Sequence, residues 1–174
     1  MKPLLALLLL TLGSAPALPA APAPIPLDRV LLREGELRGR LPDGYVLDLT
    51  LPDGRSAGLA VAAETAGPVN GLTFTFVRPT RDPALAAQLA RTVAGVSGAC
   101  LTAAVPPELE PWLVSRLNNE AAEVPAFPGL TLELRSRLNM TSFEEELQLN
   151  LRRMPGTALP APGCVLPEPP IQPV

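Results

Sequence analysis

The chain has 174 residues, 47% of them hydrophobic but only 3% aromatic, with a formal net charge of −3 and no histidine. That length allows one domain whose core is built mostly from Leu, Val and Ala. The acidic balance argues against nucleic acid or an anionic membrane as the main partner, since both need a positive field. The missing histidine removes His-based triads, His metal ligands and the usual physiological-pH switch.

Met1 and Lys2 begin a three-part leader. Leu4 to Leu12 form a short apolar run, Gly13 and Ser14 break it, and small residues follow at Ala15, Ala17, Ala20 and Ala21. This is the layout of a secretory signal peptide, with cleavage expected near Ala20. A retained membrane anchor would need about 20 apolar residues in a helix. Pro16, Pro19, Pro22, Pro24 and Pro26 forbid that continuation. No cysteine lies near the cleavage zone, so no lipid anchor is expected, and the mature chain is read as exported, periplasmic or extracellular. Lys2 is the sole lysine, and the abundance of Ala, Pro, Leu and Arg points to a GC-rich bacterial source.

Residues 21–27 read as a proline-rich spacer and 28–153 as the folded domain. From Asp28 the pattern is strand-like, with Val30 to Leu41 an irregular strand. Leu41-Pro42-Asp43-Gly44 and Leu51-Pro52-Asp53-Gly54 are matched turn signals, in which Pro presets φ, Asp bonds its own backbone and Gly takes positive φ. Between them Tyr45, Leu47, Leu49 and Leu51 alternate with polar or small residues, and Ala57, Leu59, Val61 and Ala63 repeat the alternation. Leu72, Phe74 and Phe76 mark a fourth strand. Asp82 is a helix N-cap with Pro83 in the first turn, and Leu85, Leu89, Val93, Val96 and Cys100 share one helical face. A shorter helix is expected from about Glu110 to Asn118 with Leu109, Trp112, Leu113 and Leu117 on its apolar side. Leu130 to Leu134 and Leu147 to Leu151 alternate again, joined by a turn at Asn139 to Phe143. From 154 onward proline dominates, and the tail is loose unless tied down.

The expected fold is α+β: a single antiparallel sheet of about six strands, formed by a β-meander, then two helices, then a β-hairpin, with the helices on one face. The opposite face, carrying Asp48, Thr73, Thr75, Glu133, Arg135, Gln148 and Arg152, is expected to meet water. Periodicity does not set the strand order.

Cys100 and Cys164 are the two cysteines, and in an exported chain they are expected to form a disulfide that tethers the tail. A catalytic thiol would need a base or a positive surrounding, and Cys100 lies on an apolar helix stripe instead. Glu144-Glu145-Glu146 is the densest acidic run, but adjacent strand residues point in different directions and suit a solvated turn better than a metal site. Asp43 and Asp53 sit in turns at opposite strand ends, too far apart for paired-carboxylate chemistry. Asn139-Met140-Thr141 matches a glycosylation sequon, idle in a bacterium. No serine has a Gly-x-Ser-x-Gly setting and no Gly-rich phosphate loop occurs.

No catalytic residue, cofactor or metal is therefore expected. The leading expectation is a small exported non-enzymatic protein that binds a protein partner or has a structural role. Its surface would be a sheet face carrying Glu133, Arg135, Arg137 and Arg152, an edge strand, or the proline-rich tail. The alternative is a periplasmic carrier of a small hydrophobic ligand, held between sheet and long helix.

Overall fold

The computed structural model describes residues 22–78, 82–101, 105–118, 128–157 and 163–168. The leader expected over 1–20 lies outside the described residues, as do 158–162 and 169–174 of the proline-rich tail.

Strand β1 (Ile25–Pro26) runs into a short helix, α1 (Leu27–Leu31). Next come β2 (Glu36–Leu41), β3 (Gly44–Thr50), β4 (Ser56–Ala63), β5 (Gly67–Pro68) and β6 (Gly71–Val77). Helices α2 (Pro83–Cys100) and α3 (Leu109–Leu117) precede β7 (Leu130–Leu138), β8 (Glu145–Arg153) and β9 (Cys164–Leu166). The fold is α+β, and six strands make one antiparallel sheet in the order β2-β3-β4-β6-β8-β7. The first four follow chain order, with β5, between β4 and β6, belonging to a second sheet. The hairpin β7–β8 then adds its second strand to β6, which leaves β7 on the edge.

Two features differ from the expectation. A second sheet exists: β9 lies between β1, which it pairs in parallel, and β5, which it pairs antiparallel. Val30 to Leu41 is not one irregular strand. Leu27, Val30 and Leu31, spaced one turn apart, fold as α1 and are buried, and the strand begins only at Glu36. Strands of two or three residues, three of whose seven residues are proline or glycine, leave no periodic trace, and a five-residue helix is shorter than two turns.

The two matched turns use their glycines differently. Gly54 has φ +84°, and its amide donates to Leu51 O at 2.9 Å, as a tight turn requires. Gly44 does not take positive φ. A Cβ there would stand 2.0 Å from Val61 O, so it is the approach of β4 that demands glycine.

One contiguous core joins Leu47, Leu49, Leu59, Val61, Phe74 and Leu149 from the sheet with the buried stripes of α1, α2 and α3. Asp82 caps α2 by accepting from the Leu85 amide at 3.0 Å, and Leu89, Val93, Val96 and Cys100 are buried along it. On α3 the buried residues are Leu109, Trp112, Leu113 and Leu117.

Cys100 at the end of α2 and Cys164 in β9 form a disulfide across a sequence separation of 64. The tail is held by more than sulfur. The Ile25 amide donates to Gly163 O at 2.8 Å and the Val69 amide to Cys164 O at 3.0 Å, while Leu166 joins the core. Residues 25–27 and 164–166, from the proline-rich lead-in and tail, are thus parts of the folded structure.

Candidate functional site

Successive residues of a strand face opposite ways, so the strands that send Leu and Phe into the core present a second set of side chains on the other face. Pairing aligns that set in rows. One row runs Val46, Ala60, Thr75, Gln148, Arg135, and the next runs Gly44, Ala62, Thr73, Asn150, Glu133. On the other side of the first row stand Asp48, Gly58, Val77, Glu146 and Arg137. The centre of this face is low, made of Gly, Ala, Val and Thr, and its long charged side chains gather on β7 and β8. None of these residues belongs to the core.

Glu133, Arg135, Arg137 and Arg152, expected to share a face, do lie together on it: the first three are alternate residues of β7, and Arg152 on β8 pairs with Thr131. Every arginine of the set has a carboxylate. Arg135 Nε donates to Glu133 Oε1 at 2.8 Å, along the same strand. Arg137 meets Glu146 across the hairpin at 2.8 Å, and Asn139 Nδ2 donates to the other oxygen of Glu146 at 2.6 Å. These donors, Asn139 first and Arg137 second, hold the Glu146 carboxyl below its usual range. Arg152 Nε lies 3.1 Å from Glu64 Oε2. Glu64 reaches it by crossing Gly71, where a Cβ would stand 2.6 Å from the glutamate side chain. In the middle of the face the Thr73 hydroxyl donates to Asn150 Oδ1 at 2.9 Å.

A concavity of about 700 Å³ opens at the Arg152 end and is lined by Glu64, Asn70, Thr131, Arg152 and Arg153 among others. Arg153 is engaged there by Asn70 Oδ1 at 2.5 Å and Thr157 O at 2.8 Å. A smaller groove of about 370 Å³, lined by Glu64, Thr131, Glu133, Asn150 and Arg152, continues it onto the face. The sequence pattern singles out Arg152 but not Glu64, which orients it, nor the Arg153–Asn70 pair beside it. Glu64 and Asn70 come from the far end of β4 and the β5–β6 connection, and no local pattern links them to β8.

The glutamate run separates as its strand alternates. Glu146 faces the open side, while Glu145 meets Arg78 at 2.9 Å and accepts from the Ser136 hydroxyl at 2.6 Å. Asp43 and Asp53 flank β3 at opposite ends, about 20 Å apart by strand rise. Among the described residues no group of three His, Cys, Asp or Glu side chains could hold a metal ion, and no helix is long and apolar enough to cross a membrane.

A further feature was not anticipated. The last residue of β7, Leu138, and the turn residues Met140 and Phe143 are 56%, 73% and 75% exposed. Asn139 wires this turn: its Oδ1 accepts from the amides of Thr141 and Ser142, and its carbonyl accepts from the Phe143 amide. Met and Phe in a turn that otherwise favours polar residues were the available signal.

No protein-family model, no curated protein and no solved structure matches this chain.

Proposed function

We propose that this is an exported, non-enzymatic protein that binds a protein partner on the open face of its six-stranded sheet, with the helices occupying the opposite face. The observation that carries the reading is that face: a floor of Gly58, Ala60, Ala62, Thr73 and Thr75 with no bulky side chain, bordered by Gln148, Asn150, Glu133, Arg135 and Arg152. Small residues let another surface approach the sheet, and the bordering amides and paired charges supply polar contacts that fix its orientation. Export is supported by the leader pattern of residues 1–20 and by the Cys100–Cys164 disulfide, a bond that persists in oxidising compartments. The carrier reading has less support, because the concavities at the Arg152 end are open and lined by charged side chains already engaged with one another.

The test is residue-resolved footprinting in the native host's envelope against the purified protein. Thr73, Thr75, Gln148 and Asn150 are expected to be shielded in situ and labelled when pure. Equal labelling in both settings overturns the reading. Intact mass of the recovered protein is expected to show an N-terminus near residue 21 and two fewer hydrogens than the dithiol form.

A further inference from the structure

A sheet edge presents unpaired N–H and C=O groups, and proteins blunt such edges with bulges, charges or proline. The two edges of this sheet are treated differently. β2 is six residues long, shifts register between Leu37 and Gly39, and exposes Glu36, Arg38 and Arg40. β7 runs nine residues and pairs with β8 in unbroken register from Leu130 to Leu138, with no bulge or proline, and its exposed charges Glu133, Arg135 and Arg137 fall at alternate positions. Among the described residues β8 is its only neighbour. Gly129 O accepts from the Met154 amide and the Asn139 amide donates to Glu144 O, so odd-numbered positions turn their backbone groups toward β8. By alternation, Leu130, Leu132, Leu134, Ser136 and Leu138 direct theirs to the open side.

We infer that β7 pairs with β7 of a second copy of this chain, antiparallel about a two-fold axis through Leu134. The charge pattern selects that register. With the axis at Leu134, Glu133 stands opposite Arg135 of the partner subunit, and Arg135 opposite Glu133 of the partner subunit. Moving the axis by one residue places Glu133, or Arg135, against its own twin, and moving it to Ser136 sets Arg135 against Arg137 of the partner subunit. Directly opposed like charges destabilise a ladder. The Leu134 register also uses the whole strand, and it sets the exposed Leu138 opposite Leu130 of the partner subunit. The outward backbone groups of Leu130 to Leu138 all find partners, and the two sheets become one. A two-fold contact of this kind is closed, so pairing stops at the dimer.

This inference goes beyond the proposed function, since it concerns the edge and not the face. Sedimentation equilibrium of the purified protein is expected to show a dimer at tens of micromolar, within reach of a modest interface. Glu133→Arg or Arg135→Glu alone is expected to weaken it on the order of tenfold, and the double exchange to restore it. Both positions are exposed, and far-UV circular dichroism is expected to stay unchanged. In a second measurement Leu134→Cys is expected to cross-link to itself on mild oxidation. Leu132→Cys and Ser136→Cys are expected to cross-link to each other when mixed, but not alone. A wild-type monomer at about 100 μM overturns self-pairing and leaves the footprinting test of the face untouched. A monomer whose Leu132 and Leu134 amides are protected only when an added host protein is present gives the edge to another chain, which also overturns it. So does a dimer indifferent to the charge exchanges.

Discussion

Phe143 is the only non-glycine among the described residues with positive φ, at 58°. That conformation sets Cβ against the neighbouring carbonyl and costs a side chain about 1–2 kcal/mol, which glycine avoids. The turn imposes it: the Phe143 amide donates to Asn139 O, and the Asn139 amide donates to Glu144 O to close the hairpin. With the ring 75% exposed, little packing offsets the cost. Phe143→Gly is therefore expected to stabilise the protein by about 0.5–1 kcal/mol, part of the gain being lost to the freer unfolded chain. Urea denaturation measures this, and a fall in stability would mean that the ring is held by contacts made in solution. Asp82 is a second residue whose setting is specific. Its carboxyl is held below the usual range first by the Leu85 amide and then by Arg55, which also holds Asp53. A depressed folded-state pKa means that stability is present above the unfolded value, near pH 4, and is lost as pH falls through the folded one. The melting temperature of the wild type is expected to drop on acidification below about pH 4. Asp82→Asn, which can still cap but carries no charge, should show a shallower dependence, and parallel curves would remove Asp82 from the acid response.

The elements that periodicity identifies are those long enough to repeat it. Leu47 and Leu49, Leu59 and Val61, Phe74 and Phe76, and Leu147, Leu149 and Leu151 each alternate across a strand with one wet face, and α2 shows its stripe over eighteen residues. What the pattern could not show was β9. Cys164–Leu166 has three residues, its neighbours β1 and β5 have two each, and all its pairings are distant in sequence. Only the cysteine hinted that the tail returns to the core. In the chain-entropy model a cross-link of this span contributes about 4 kcal/mol. Reduction is expected to lower stability by an amount of that order and to release β9 first. The amides of Ile25 and Val69, which donate to Gly163 O and Cys164 O, should lose hydrogen-exchange protection while those of β6 and β8 keep it. Simultaneous loss across both sheets would make β9 part of the same cooperative unit as the main sheet.

At the scale of the whole molecule, the buried residues of α1, α2 and α3 and of the main-sheet strands share one core, and the alternate strand residues are left outside it. The sequence carried that division, because Leu and Phe alternate with Thr, Asn, Gln and Arg. It did not carry the order of the strands. Whether β7 or β8 docks on β6 depends on which side of the hairpin finds the open edge, a choice between surfaces made only in three dimensions. The placement of β8 inside and β7 outside is what brings Arg152 to Glu64 and, among the described residues, leaves a nine-residue strand unpaired on one side. The face asymmetry gives the sharpest global test, since two neighbours on β8 report opposite surfaces. Leu149 is fully buried in the core, and Leu149→Ala is expected to destabilise by about 2–5 kcal/mol through lost burial and the cavity left behind. Gln148, one residue away, pairs with Thr75 and Arg135 in the open row, and Gln148→Ala is expected to change stability by no more than about 0.5 kcal/mol. Thr75→Ala beside it should behave the same way, its loss of β propensity staying within about 1 kcal/mol. Denaturant titration of the three variants decides the matter. If Gln148→Ala and Thr75→Ala cost as much as Leu149→Ala, the chain itself covers this face, and a partner has no open sheet to bind.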